Sequence, residues 1–250
     1  MSGIAGGMMF SAYFNQLQKQ LLKTYTKSSK KEAVSAPVPA KAKKPAKKDY
    51  KPVMDAVSSM FSPEICVMSK KIADQSGYIS DSADFIAVRK KFSAIDEIFH
   101  EAVPAELTAA SFNVIEEVNH KQLTDVLIKA ALIKKIDHYS EEAEDPAFIP
   151  GFIIALHTTY SLSELKEAII DIYDKDSVEP MFEFDIMMVL GKGLIIKNWR
   201  EGARSFIALE TGEDTMKWFF LLLNEYVESK TAKDLDLRSY VKEAVHYNEY

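Results

Sequence analysis

The order of apolar runs along this chain predicts an α/β protein with a mixed central β-sheet flanked by helices. Three observations carry that expectation. Several apolar runs of strand length come first in the body of the chain, before any long helical stripe. Helical and strand patterns then alternate, the order required when helices cover the faces of a sheet. Hydrophobic residues at 47% against 27% charged, over 250 positions, supply enough apolar surface for one sizeable core.

The elements follow from local pattern. Met8 to Thr26 predicts a first helix, with Met9, Tyr13, Leu17 and Leu21 spaced by four. A short helix is expected from Pro52 to Phe61, then strands over Ile65–Ile72 and Asp84–Val88, joined by a loop with Gly77 and Ser80-Asp81-Ser82. Leu107–Ile115 reads as a third strand. Asn119–Tyr139 reads as a long helix whose stripe is Leu123, Leu127, Ala130 and Ile133. An acidic loop, Glu141 to Asp145, precedes a strand over Phe152–Leu156. Ser161 and Glu164 form a capping box ahead of a helix to Asp174. Strands over Ile186–Leu190 and Leu194–Lys197 flank a Gly191-Lys-Gly hairpin turn, and Arg204–Leu209 is another strand. A cap near Thr211 opens an amphipathic helix with Met216, Phe219, Phe220, Leu223 and Val227, and Trp218 is expected to pack inward with that pair of phenylalanines.

Charge is distributed unevenly. Residues 27–51 hold nine lysines against Glu32 and Asp49, a net +7 in a chain whose total is −6, so the remainder carries −13. The stretch is also rich in Ala and Pro, and such a composition buries too little apolar surface to offset its ordering entropy. It is expected to be a disordered linker. Lys41, Lys43, Lys44, Lys47 and Lys48 are its candidate nucleic-acid-binding residues, because dispersed ammonium groups neutralise phosphates without reading sequence. A solvated spacer, or docking of the arm on the acidic body, remains an alternative.

Other classes are excluded or weakened. A lone cysteine, Cys66, allows neither an intramolecular disulfide framework nor a Cys-based zinc site, which fits a cytoplasmic setting. No apolar run approaches the roughly 18 residues that cross a bilayer, and no membrane partner is expected. Met1 to Phe10, apolar and small but without a basic lead, is expected to be a flexible helix start rather than a signal peptide. The histidines His100, His120, His138, His157 and His246 show no metal-ligand spacing, although His157 ends an apolar strand.

Four quoted stretches carry a family resemblance. They are Asp84 in Ser-Ala-Asp-Phe-Ile-Ala-Val, Val103-Pro-Ala-Glu106, the third strand Ala109-Ala-Ser-Phe-Asn-Val-Ile, and Asn119-His-Lys-Gln-Leu after it. With Val189-Leu-Gly-Lys-Gly-Leu-Ile-Ile and the run from Leu209 to Phe220, residues 61–229 resemble uncharacterised bacterial and phage domains of the PD-(D/E)XK, restriction-endonuclease-like nuclease superfamily. The resemblance implies a restriction-endonuclease-like fold for residues 52–229, after an N-terminal helix over 1–26 and the linker over 27–51, with a C-terminal helical tail over 230–250. It also implies Mg²⁺ if the site is active, with Asp84 and Glu106 as metal ligands.

The chemistry of that family explains which residue types its third strand needs. Mg²⁺ takes hard oxygen ligands, polarises the phosphate and helps to form hydroxide. A lysine two residues beyond an acid lies on the same face of a strand, where it stabilises developing negative charge. Carried onto this strand, the acid position falls on Asn113 and the lysine position on Ile115, so the implied site (Asp84, Glu106, Asn113, Glu117) is degenerate. A slip of two or three residues would bring in Glu116 or Glu117, and Lys121 or Lys129 on the following helix could replace the lysine. Three readings stay open. The leading one is a non-catalytic nuclease-fold protein that binds or regulates DNA or RNA, in a defence setting implied by the resemblance. The others are an active Mg²⁺-dependent endonuclease with relocated residues, and a protein–protein module with a partner held through the N-terminal helix.

Overall fold

A computed structural model of the chain describes residues 3–32, 49–92, 94–136, 148–199 and 204–229, with only the helical backbone for 3–10 and 26–32. Helices are α1 (Gly3–Glu32), α2 (Lys51–Ser58), α3 (Ile95–Ile98), α4 (His120–Lys134), α5 (Leu162–Lys175) and α6 (Thr215–Ser229). Strands are β1 (Ile65–Met68), β2 (Lys71–Ala73), β3 (Ile79–Ser80), β4 (Phe85–Arg89), β5 (Ala102–Pro104), β6 (Thr108–Glu117), β7 (Gly151–His157), β8 (Ile186–Val189), β9 (Gly193–Lys197) and β10 (Phe206–Glu210).

Seven strands form one mixed sheet in the order β1-β4-β6-β7-β8-β9-β10. The pairs β6–β7 and β7–β8 are parallel, and the others are antiparallel. Both faces are covered, so the central strands are almost wholly buried, and β7 and β8 are near-continuous apolar runs. Strand alternation sorts the side chains. Phe112, Phe152, Ile154, Ile186 and Met188 face α1, α2 and α6, packing with Phe14, Val53, Val57, Phe219 and Leu223. Ile115, Ile153, Ala155, Met187 and Val189 face α4 and α5, packing with Leu123, Leu127, Leu165, Ile169 and Tyr173. Across the first face, Phe85, Phe112 and Phe152 stack with centroids 4.8 and 5.4 Å apart. The mixed sheet between helices is the architecture that the sequence predicts.

Several boundaries differ from expectation for identifiable reasons. The expected strand over Ile65–Ile72 is two strands: β1 pairs with β4 in the main sheet, and β2 joins a separate three-stranded sheet, β3-β2-β5. Helix α1 runs to Glu32, through the first six residues of the expected linker, in a stretch of good helix formers. Asp49, Tyr50 and Lys51 are also described, with Lys51 opening α2. Residues 33–48, the acidic loop Glu141–Asp145 and the expected tail over 230–250 lie outside the described residues.

The buried face of α1 matches the predicted series in part: Leu21 is buried and Leu17 packs on the core, but Tyr13 does not. Phe14, Gln18 and Leu21 are buried while Tyr13 is 51% exposed, because a strict spacing of four drifts around a 3.6-residue helix. That buried face packs on this chain's own core. Gln18 bonds Gly212 O and receives the Met216 N–H at 3.1 and 3.2 Å, and the Phe14 and Phe220 rings lie 4.8 Å apart. Trp218, expected inside, is 42% exposed, whereas Phe219 is buried. The capping box at Ser161 and Glu164 forms as predicted. The Gly191 turn does too, with φ +75° and a Lys192 N–H to Val189 O bond.

Candidate functional site

The register of β4 against β6 sets the site. The register begins at Phe85↔Phe112, which brings Asp84, one residue ahead of β4, alongside the Phe112–Val114 stretch of β6. Asp84 is fixed at both ends: its N–H donates to Phe112 O (2.9 Å), and its Oδ2 accepts the Val114 N–H (2.8 Å). Asn113 is 1% exposed, and its Nδ2 donates to Ser82 O at 2.7 Å in the loop ahead of β4. A carboxylate could not make that bond, since it offers no donor when ionised. The amide therefore serves as a tie between β6 and the β3–β4 loop. Ile115 is buried within the apolar cluster beneath α4 and α5.

Glu106 stands apart from these residues. It occupies a helical turn between β5 and β6, is 5% exposed, and its Oε1 accepts from Gln75 Nε2 at 2.7 Å. It lines neither cavity that Asp84 lines. Glu117 follows the parity of Asn113 and Ile115 but is exposed at the strand end, level with His157 of β7. Neither Glu117 nor His157 lines these cavities. Of the four motif residues, Asp84 lines both cavities, and Asn113, Glu106 and Glu117 line neither. The arm lysines Lys41, Lys43, Lys44, Lys47 and Lys48 fall outside the described residues.

A cleft of about 770 Å³ opens between α2, α4 and the ends of β4 and β6. Its floor is Tyr50, Met54, Val114, Ile115 and Val126, and its walls carry Asp49, Asp55, Asp84 and Asp125 with Lys51, Lys129 and Gln122. A smaller polar cavity of about 450 Å³, with Lys70, Lys71 and His100, shares Ser69 and Asp84 with it. Of the two lysines weighed as replacements, Lys129 lines the cleft and Lys121 does not. Sequence reading missed Asp55, Gln122 and Asp125. The available signal was the Asp125–Lys129 pair one turn apart on the polar face of α4, toward the strand ends.

The cleft is electronegative. Burial, followed by the charges of Asp84 and Glu116, drives the Tyr50 phenol far above its ordinary range. Tyr25 is pushed up to about 12 by burial, with Glu116 and Asp49 adding to it. Glu116 thus acts on the helix α1–α2 side of the sheet, opposite to Asn113 and Ile115. Mg²⁺ takes one or two carboxylates together with waters and substrate oxygens, and of the two carboxylates expected to hold it only Asp84 lines the cleft. Among the described residues no group of three His, Cys, Asp or Glu side chains is placed to hold a metal.

Another charged cluster escaped the sequence reading. Lys134 pairs with Asp185 at 2.7 Å, and Asp185 also accepts the Gly151 N–H at 2.7 Å. Lys197 and Arg204 both bind Glu183, which is fully buried. Trp199 lies over the Lys134 and Lys197 ammonium groups at 5.0 and 5.5 Å. Each charge has its partner, so this is a structural tie joining α4, β8 and β9.

No protein-family model matches the chain, and no curated protein does. Solved structures do match. The cAAA-bound form of NucC from E. coli MS115-1 has a TM-score of 0.68 at 14% identity, over 92% of this chain and 95% of that one. The cAAA-bound form of NucC from P. aeruginosa ATCC27853 gives 0.65 at 13%, over the same shares. The apo form from E. coli MS115-1 gives 0.61 at 16%, over 76% of this chain and 87% of that one. At such identities the likeness is one of fold: this chain has the restriction-endonuclease-like fold of NucC. Among the described residues, no helix is long and apolar enough to cross a membrane.

Proposed function

We propose that this chain is a nuclease-fold protein without the superfamily's metal-dependent cleavage centre, one that binds or regulates DNA or RNA in a cytoplasmic, defence-associated setting. The observation that carries the reading is Asn113, whose buried amide donates to Ser82 O where the family's pattern has an acid. Ile115 in the lysine position, buried among apolar side chains, and Glu106 held by Gln75 outside the cleft support it. The unit that bears these features is residues 52–229. The defence setting rests on the likeness to NucC, and the nucleic-acid partner on the lysines of the arm.

Two assays test this reading. Incubation of plasmid DNA or RNA with the full chain and Mg²⁺ should give no cleavage; cleavage abolished by Asp84→Ala would overturn it. Binding of duplex DNA should be salt-sensitive through the arm. Replacing Lys41, Lys43, Lys44, Lys47 and Lys48 by Gln should flatten the plot of log affinity against log salt, by up to about 4.5 units of slope if all five neutralise phosphates. An unchanged slope excludes the arm as the contact.

One observation favours a second reading, an enzyme with a relocated lysine: Lys129 lines the same cleft as Asp84. Under that reading Lys129→Ala would abolish any Mg²⁺-dependent cleavage while leaving DNA binding intact.

A further inference from the structure

The strand that ends the seven-stranded sheet leaves its outer side open. Among the described residues, β10 pairs with β9 and no strand pairs with its far side. The ladder fixes which groups face outward. Ser205 O accepts the Asn198 N–H at 2.9 Å, and the Thr211 N–H donates to Lys192 O at 3.1 Å. Hydrogen-bonded and non-hydrogen-bonded pairs alternate along an antiparallel ladder. Ile207 and Leu209, of the same parity as Ser205 and Thr211, therefore turn their N–H and C=O groups toward β9. Leu209 O agrees with that parity, since a Cβ on Gly193 of β9 would run into it. Phe206, Ala208 and Glu210 turn their backbone groups away from the sheet.

Proteins usually blunt such an edge with Lys, Pro, a bulge or a covering element. The sequence of β10, Phe-Ile-Ala-Leu-Glu, has neither Lys nor Pro, and its register against β9 is unbroken. Its exposed side chains include two large apolar ones, Ile207 at 51% and Leu209 at 36%. Both stand on the sheet face of their neighbours Ile196 and Leu194. The other end strand, β1, differs: its side chains are all half-buried, and Ile65 and Val67 pack on the core.

Two copies of β10 match one another in a single antiparallel register. With Ala208 opposite itself on a two-fold axis, Phe206 lies opposite the second copy's Glu210, and Ile207 opposite its Leu209. The outward-facing residues are then the hydrogen-bonded pairs, so Phe206, Ala208 and Glu210 each exchange N–H and C=O with the facing strand. Ile207 and Leu209 form the non-hydrogen-bonded pairs, where side chains approach most closely. The two Glu210 carboxylates fall at opposite ends of the ladder, so like charges do not meet. A shift of one residue would set outward groups against inward ones, and a shift of two would leave an end residue facing past the strand.

We propose that β10 is the docking edge for a second copy of this chain, joined antiparallel about a two-fold axis at Ala208. The contact is isologous, so it uses both edges and stops at a dimer. A single strand pair falls at the small end of interface sizes, below roughly 1,200 Å², so the dimer forms reversibly and with concentration. The inference goes beyond the proposed function and does not depend on it, because the cleft beside Asp84 is lined from other elements.

Sedimentation equilibrium of the full chain from about 5 to 500 µM is the test, and a monomer–dimer equilibrium is expected. Ala208→Pro removes an outward N–H, which an edge strand tolerates, and by symmetry it deletes two bonds between the strands. Ile207→Lys sets a charge against the second copy's Leu209. Each should weaken the dimer about tenfold or more while circular dichroism stays that of the parent. Register is read by cross-linking in a Cys66→Ser background. A hydrogen-bonded pair holds its Cα atoms about 5.5 Å apart, within the span of a disulfide. Ala208→Cys should therefore give a covalent dimer on oxidation, and Glu210→Cys should not. A parent that stays monomeric at about 500 µM overturns the proposal. So does an assembly of any size that Ile207→Lys leaves intact, or one in which Ala208→Cys fails to cross-link. If Ala208→Pro does not fold, Ile207→Lys and the cysteine variants decide alone.

Discussion

Asn113→Asp is the most direct test of whether the cleft is a damaged metal site or a site rebuilt for another purpose. The substitution is nearly isosteric and restores the acid that the superfamily pattern expects. Its cost follows from two contacts. Asn113 donates to Ser82 O at 2.7 Å and is 1% exposed. An ionised aspartate cannot donate, and removing the donor from a buried carbonyl costs about 1–3 kcal/mol. A further ionised carboxylate is also desolvated beside Asp84, which adds a comparable penalty or forces the new acid to take up a proton. A total near 3 kcal/mol lowers the thermal midpoint of a chain this size by about 6–12 °C. The sign of the pH dependence is fixed by the same physics. The new acid's folded pKa lies above its unfolded value of about 3.9, so the penalty is full at neutral pH and disappears below the unfolded pKa. Differential scanning fluorimetry of parent and variant across pH 4–8, with and without 10 mM Mg²⁺, would check it. If Mg²⁺ restored the midpoint, the introduced carboxylate would have completed a working metal site. A divalent ion at a hundred times its Kd returns about 2.7 kcal/mol, enough to be unmistakable. A variant as stable as the parent would refute the role of Asn113 as a buried tie, and restoration by Mg²⁺ would refute the reading that the cleft no longer takes a metal.

Three further outcomes are expected. Lys197→Met leaves the fully buried Glu183 with Arg204 as its remaining cation, so urea denaturation should show a loss of about 3–5 kcal/mol, partly recovered in Lys197→Met/Glu183→Leu. Gly193→Ala drives a methyl group into Leu209 O, well inside van der Waals contact, so the β9–β10 pairing must shift; hydrogen exchange at Ile195 and Ile207 should accelerate at least tenfold relative to β6. Tyr25 and Tyr226, both raised to about 12 chiefly by burial, stay protonated after the unfolded chain's tyrosines ionise near 10. Stability should be constant below about pH 10 and fall as pH rises toward 12, with absorbance at 295 nm rising only as the chain unfolds.

The pattern of strands and helices was legible because it depends on local periodicity. The stripe Leu123, Leu127, Ala130, Ile133 is buried in full, and the Ser161–Glu164 box caps α5. What failed to show was partnership across distance. Ser69 and Lys70 mark the point where one apolar run leaves the main sheet for a smaller one, and no neighbour in sequence announces that β2 will pair with β5 some thirty residues on. The same blindness affects acids. Glu106 beside Pro104, and Glu183 and Asp185 on either side of Phe184, look equivalent in sequence: carboxylates in apolar surroundings near a strand. Only their partners separate them, Gln75 for the first, Lys197, Arg204 and Lys134 for the others.

Spacing was a better guide at Asn113 and Ile115, since strand alternation places both on one face of β6 and Asp84 bonds Val114 N–H between them. Those positions are filled by groups with work of their own: the amide ties the β3–β4 loop to β6, and the isoleucine packs beneath α4. A site that had merely lost its ligands would leave a hole or an unpaired polar atom at those positions. The cleft takes three of its polar lining residues, Gln122, Asp125 and Lys129, from α4, which the strand motif does not include.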